Sequence, residues 1–257
     1  MKHYRPDPIA TRDDAFKWCG KGKIEMEKPK IFDLPKLRTQ VRVFRDRALA
    51  GKVLAGMLEN YRSSSAMVMG IPAGGVAVAV VIARELTLPL DIAVVSKITL
   101  PWNSEAGYGA VAFDGTVMLN EKLLPRLNLS NQEIRTGIKK TEQKVFRRVT
   151  MFRGNRPLPD FNHPIILVDD GLASGITLRV AIKALRQAGA TNIILAVPTG
   201  HLESVQIILE EVEAIYCPNI RSGLSFAVAD AYEQWSDLDE QEVVRLLQEF
   251  KGPNKEQ

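Results

Sequence analysis

Apolar residues recur along the chain with two rhythms. From Val41 they return at helical spacing through Phe44, Ala48, Gly51, Ala55 and Leu58, which predicts an amphipathic helix. Ala66–Ile71 is instead a short unbroken apolar run, the pattern of a strand buried on both faces. It breaks at Pro72-Ala73-Gly74-Gly75, and Val76–Leu86 continues as a helix. Asp91–Val95 predicts a second buried strand, and Gly109–Leu119 alternates around Asp114-Gly115 as a hairpin does. Ser130-Asn131-Gln132-Glu133 is a capping-box pattern, opening a basic helix that runs to about Met151. Pro164–Val168 predicts a third strand, and Gly175–Ala188 a helix closed by Gly189. A fourth strand at Ile193–Val197 leads to a helix near Glu203–Val212, a short strand at Ala214–Cys217 and a last amphipathic helix at Asp239–Phe250. Strands alternating with helices imply an α/β fold with a parallel sheet covered on both faces.

Residues 1–40 lack this periodicity and are rich in lysine, proline and glycine. They are expected to form an N-terminal arm, followed by a domain over residues 41–250 and a C-terminal tail at 251–257. The stretch Ser63–Ala83 carries no charge, but Pro72, Gly74 and Gly75 interrupt it, so it predicts strand, turn and helix rather than a membrane span. Met1–Arg12 has neither an apolar core nor a small-residue cleavage site, so no signal peptide is expected. The two cysteines, Cys19 and Cys217, lie far apart, which argues against a disulfide framework or a zinc site and for a reducing, cytoplasmic setting. His3, His163 and His201 are scattered and suggest neither a triad nor a metal cluster. Lysine and arginine exceed the acids by 34 to 30, an excess that suits phosphate-bearing ligands without amounting to a nucleic-acid signature.

Chemistry concentrates in Ile165-Ile166-Leu167-Val168-Asp169-Asp170-Gly171-Leu172-Ala173-Ser174-Gly175-Ile176-Thr177. Two carboxylates stand where a buried strand ends, the place where open α/β sheets bind ligands. The small-residue loop after them opens a helix, whose free N–H groups suit a phosphate; Ser174 and Thr177 add hydroxyls, and Gly175 permits close approach. Adjacent carboxylates can hold vicinal hydroxyls, or a cation through bridging waters. Together these features provide for a diol and a phosphate side by side, as in a ribose 5-phosphate. An Asp-Asp pair after a strand also occurs in receiver domains, and a small-residue loop can be an ordinary helix start. Gly70-Ile71-Pro72-Ala73-Gly74-Gly75 repeats the strand–loop–helix arrangement and is a candidate second anion site. Lys97, after the Asp91–Val95 strand, precedes the polar, glycine-punctuated stretch Pro101–Gly109 that contains Glu105. The alternative reading of both residues is as solvated surface groups.

The Ile165–Thr177 segment resembles the binding signature for 5-phosphoribosyl-1-pyrophosphate (PRPP) of type I phosphoribosyltransferases. That resemblance implies a Rossmann-like parallel sheet with a small hood. Asp169 and Asp170 would contact the ribose hydroxyls and, through PRPP and water, Mg²⁺. Gly171 and the loop Ala173, Ser174, Gly175, Ile176 and Thr177 would wrap the 5-phosphate. Pro72, Ala73, Gly74 and Gly75 would hold pyrophosphate, together with Lys97. Many related loops carry a cation where this one has Ala73. Pro101–Gly109 resembles the flexible catalytic loop of the class, and Lys97 and Glu105 become candidate catalytic residues. Phe44-Arg45-Asp46-Arg47, Ala50-Gly51, Gly109-Ala110, Asp114-Gly115 and Asp230-Ala231-Tyr232 extend the likeness to predicted stand-alone phosphoribosyltransferases of unassigned acceptor, over roughly residues 41–250.

The implied reaction transfers the 5-phosphoribosyl group from PRPP to a nucleobase or other small nitrogen acceptor and releases pyrophosphate. Ala173 occupies the position where the 6-oxopurine subclass has an aspartate base, which argues against hypoxanthine and guanine or moves the base elsewhere, for instance to Glu105. Homo-oligomers are common in the class, and no membrane association is expected. Some proteins of this fold are PRPP-sensing regulators that bind nucleic acid. Lys139, Lys140, Lys144, Arg147 and Arg148 on the basic helix are the feature that would support this second reading, although a solvated helix or dimer rim reads the same way. In Ser222–Tyr232, Phe226 and Tyr232 could stack on an acceptor ring, although Tyr232 and Trp235 are also spaced as ordinary core residues.

Overall fold

The computed structural model describes residues 30–223 and 225–251 and, within them, every side chain except those of Ser104 and Glu105. Strand β1 (Lys30–Phe32) is followed by helix α1 (Arg47–Met57), β2 (Met67–Gly70), α2 (Gly74–Leu86) and β3 (Leu90–Ile92). Next come β4 (Val95–Leu100), β5 (Asn103–Ala112), β6 (Val117–Leu119), α3 (Asn131–Arg153), β7 (Ile165–Val168) and α4 (Ile176–Gln187). The chain continues as β8 (Ile193–Ala196), β9 (Thr199–His201), α5 (Leu202–Leu209), β10 (Ala214–Tyr216), β11 (Asn219–Arg221) and α6 (Glu240–Lys251).

Among the described residues, six strands form one sheet in the order β1-β10-β8-β7-β2-β3, and every neighbouring pair is parallel. The unbroken apolar runs are explained by burial on both faces. Along β7, Ile165 and Leu167 join one core cluster with Leu178, Leu185 and Ile208, while Ile166 and Val168 join another with Leu54, Ile82 and Leu86. Each such side chain contributes about 1.5–3 kcal/mol when removed from water. A third cluster, including Ile98, Tyr108, Val145 and Val243, packs the antiparallel sheet β4-β5-β6 under α3 and α6.

The elements expected from the pattern are present, with shifted limits. The helix expected from Val41 begins at Arg47, because Asp46 caps it by accepting from the Leu49 N–H at 2.8 Å. Phe44 is used instead in a bridge to Tyr232. The Asp91–Val95 strand divides: Leu90–Ile92 pairs with β2, and Val95 starts the hairpin sheet. The capping box at Ser130 is formed in full, and Gly115 takes φ +87° in the β5–β6 turn. Of the expected arm, residues 30–40 are described and pack on the sheet, β1 pairing with β10, so the fold reaches further back than residue 41. His3, Cys19 and the Met1–Arg12 start lie outside the described residues, as does most of the tail at 251–257. Cys217 is buried, and burial pushes its thiol pKa up, so it is inert rather than reactive. No helix among the described residues is long and apolar enough to cross a membrane.

Candidate active site

The chain runs from β2 outward to β3 in one direction and from β7 through β8 to β10 in the other. The order therefore reverses between β2 and β7, and a crevice opens at their carboxyl ends. There β2 ends in the loop Pro72–Gly74, and β7 ends in Asp169, Asp170 and the loop to α4. A cleft of about 430 Å³ is lined by Pro72, Ala73, Gly74, Lys97, Asp169, Asp170, Gly171, Ala173, Ser174, Gly175 and Thr177, among others. The fold thus brings together residues drawn from three separate segments of the sequence.

Backbone-to-backbone packing fixes the two loops against each other. The Ile71 N–H donates to Val168 O at 2.8 Å. A Cβ at Gly74 would collide with the Asp170 carboxylate, and one at Gly75 would sit 2.6 Å from Val168 O. Gly75 is thus packed against the end of β7 and is not among the residues that line the cleft. The Pro72–Ala73 peptide is cis. On the β7 side, Leu172 N–H donates to Thr199 O, His201 N–H to Leu172 O and Ser204 Oγ to Ala173 O, which anchors the loop to β9 and α5. Gly175 caps α4 at φ +76°, a backbone that favours glycine. No side chain caps α4, so its first N–H groups stay available for an anion. The Ile176 side chain packs on the core, and Ile176 is not among the residues that line the cleft.

The acidic pair is electrostatically unlike two surface carboxylates. Burial, then the neighbouring charge of Asp170, pushes the Asp169 pKa well above the usual range, with Lys97 acting in the opposite direction. Asp169 Oδ1 accepts from the Asp170 N–H at 2.9 Å. Burial also raises the Asp170 pKa, while Arg47 counters it. Arg47 Nε donates to Asp170 Oδ2 at 2.9 Å and its Nη1 to Ser236 O at 2.9 Å. The Arg47 guanidinium also lies 3.9 Å from the centre of the Trp235 ring. Tyr232 donates its hydroxyl to Asp170 O at 2.7 Å.

Lys97 lies within β4 rather than after a strand, and Asn103–Gly109 is the first part of β5 rather than a loop. The two strands pair from Val95/Ala112 to Leu100/Asn103 because Ile98, Tyr108, Ala110 and Val111 are buried in the cores beneath. The side chain of Glu105 lies outside what is described. Four contributors to the site were not singled out from the sequence as such: Arg47, Trp235, Lys144 and Arg148. Trp235 is 37% exposed and lines the cleft with Val228 and Asp237, whereas Tyr232 is buried, as its spacing suggested. Phe226 faces His201 and Arg221 instead.

The described residues include no group of three or more His, Cys, Asp or Glu able to cage a metal ion. Two adjacent carboxylates do fit a hard cation that keeps its waters and shares ligands with a phosphate-bearing substrate.

The phosphoribosyl transferase domain family matches residues 114–231, which include the acidic pair and its loop. Two curated relatives from Mycobacterium tuberculosis strains, CDC 1551 and H37Rv, both provisionally named phosphoribosyl transferases, are 32% identical over 80% of this chain. The alignment covers 47% of their length, so the chain spans about half of the curated relatives it matches. The crystal structure of TT1426 from Thermus thermophilus is 29% identical. It covers 80% of this chain and 98% of its own, with a TM-score of 0.62.

Proposed function

The chain belongs to the type I phosphoribosyltransferase family, and from that premise we propose that it transfers the 5-phosphoribosyl group of PRPP to a small nitrogen acceptor. The observation that carries this reading is the single cleft lined by the β2 loop, Lys97 and the Asp169–Thr177 segment. Asp169 and the free side of Asp170 accept hydrogen bonds from the ribose 2′- and 3′-hydroxyls. The N–H groups at the start of α4, with Ser174 and Thr177, take the 5-phosphate. The backbone N–H groups of Ala73 and Gly74 and the Lys97 ammonium hold pyrophosphate.

The acceptor nitrogen bonds to ribose C1 as the C1–oxygen bond to pyrophosphate breaks. The bonding pair leaves with pyrophosphate, and the acceptor gives up its proton to solvent water. Mg²⁺, held by Asp169 and Asp170 through PRPP and water, would supply neutralising charge to the pyrophosphate. The protein's own contribution is positioning and fixed dipoles aimed at the departing charge. Ala73 and Ala173 place neither a cation nor a base in the loops. The acceptor would enter from the side of Trp235, Val228 and Asp237, which border the cleft. The expectation of a nucleic-acid-binding sensor gains no observation in its favour: Arg147 and Arg148 are engaged by Glu240, and Lys144 and Arg148 line the cleft.

The test is pyrophosphate release from PRPP and Mg²⁺ with nucleobases and small amines supplied singly, using Asp169→Asn/Asp170→Asn as control. Release with one acceptor class, absent in the control, is expected. A folded protein that binds PRPP but releases nothing with any acceptor would contradict the transferase reading.

A further inference from the structure

The pyrophosphate loop lacks a cation, since Ala73 stands between Pro72 and Gly74. Helix α3 crosses the hairpin sheet beside that loop and brings basic side chains to the same cleft. Lys144 and Arg148 are four residues apart, hence on one helical face, and both line the cleft with Ser96, Lys97 and Thr99. Arg148 is fixed in place: its Nε donates to Glu240 Oε1 at 2.8 Å and its Nη1 to Ser96 Oγ at 3.2 Å. Glu240 is bound on its other side by Arg147, at 2.6 Å and 2.7 Å. That leaves Lys144 with no ion pair of its own among the described residues.

We infer that Lys144 and Arg148 form, with Lys97, the cationic wall of the cleft and bind the diphosphate end of the substrate in place of the cation missing from the Pro72–Gly75 loop. Partial burial, then the like charge of Arg148, lowers the Lys144 pKa. Glu240 offsets part of that repulsion, and a bound polyanion would relieve more of it. Lys144 and Arg148 then serve a small phosphorylated ligand and not a long polyanion. The assignment rests on the reading that this cleft takes PRPP.

Calorimetric titrations of the full chain with PRPP, inorganic pyrophosphate and ribose 5-phosphate, each with Mg²⁺, separate the possibilities. Lys144 is exposed enough for its variants to fold. Lys144→Ala is expected to weaken PRPP and pyrophosphate binding about tenfold, the low end for a charge-assisted contact. Lys144→Glu should weaken both further and Lys144→Arg should restore them, with ribose 5-phosphate affinity unchanged throughout. Unaltered PRPP and pyrophosphate binding in Lys144→Ala and Lys144→Glu would overturn the assignment. Equal losses for all three ligands would overturn it as well. A wild-type protein that binds none of the three would sink the functional reading itself, a result distinct from either.

Discussion

Arg47 and Asp170 are 123 positions apart in sequence, yet Arg47 Nε donates to Asp170 Oδ2 at 2.9 Å at the edge of the cleft. Asp170 is partly buried, so removing its partner leaves a poorly solvated carboxylate to be satisfied by water or by protonation. Arg47→Ala is therefore expected to lower stability by about 1–3 kcal/mol and to raise the Asp170 pKa. Thermal unfolding would measure the first effect, and carboxyl titration by NMR the second. Gly75 is constrained by space: its Cβ would meet Val168 O and, at 2.8 Å, the Asp169 Cα, both backbone atoms that cannot swing aside. Gly75→Ala should destabilise by about 1–3 kcal/mol through backbone displacement, and PRPP titration should show weaker binding as the acidic pair moves. The acidic pair and its loop were legible in the sequence because strand, carboxylates and small residues are contiguous. Arg47 was not, since a lone arginine opening a helix has no local mark of its distant partner. Trp235 reads as core from its spacing, and only its exposed face at the cleft reveals otherwise.

At the scale of elements, local signals translated faithfully and long-range pairing did not. The capping box at Ser130 forms because each of its hydrogen bonds closes within four residues. Ser130→Ala should cost about 1 kcal/mol, seen as a lower denaturation midpoint with unchanged secondary structure. By contrast, the three-residue strands β1, β9 and β11 carry too little pattern to be seen, and they exist through partners far along the chain. Pro101–Gly109 looks like a loop because of its glycines and polar residues, yet its second half pairs with β4 over a buried Tyr108. Glu240 ties α6 to α3. Its hydrogen bond from Arg147, with help from Arg148, lowers its pKa from the ordinary 4.5 to about 2. A carboxylate with a depressed folded pKa stabilises the protein above its unfolded pKa and loses that contribution as pH falls through the folded one. The α3–α6 contact should therefore weaken between about pH 4.5 and about pH 2. Thermal unfolding across that range should show the loss, and Glu240→Gln should remove this part of the dependence.

For the whole molecule, the parallel sheet was legible from the alternation of buried strands and helices, and the position of the site followed from the carboxyl ends of its strands. What periodicity could not supply was the three-sided shape of the cleft. One wall is the main sheet's loops, another the hairpin with Lys97 and the face of α3, and the third the segment with Val228, Trp235 and Asp237, against which Arg47 at the start of α1 is held. These pieces come from opposite ends of the chain and meet only through tertiary packing. The measurement that bears most directly on the account is calorimetric titration of the folded protein with PRPP and Mg²⁺, beside Asp169→Asn/Asp170→Asn. Saturable one-site binding, weakened at least tenfold in a double variant that still unfolds cooperatively, is the expected result. Absence of binding by the folded wild-type chain, or equal binding by the double variant, would contradict the central claim.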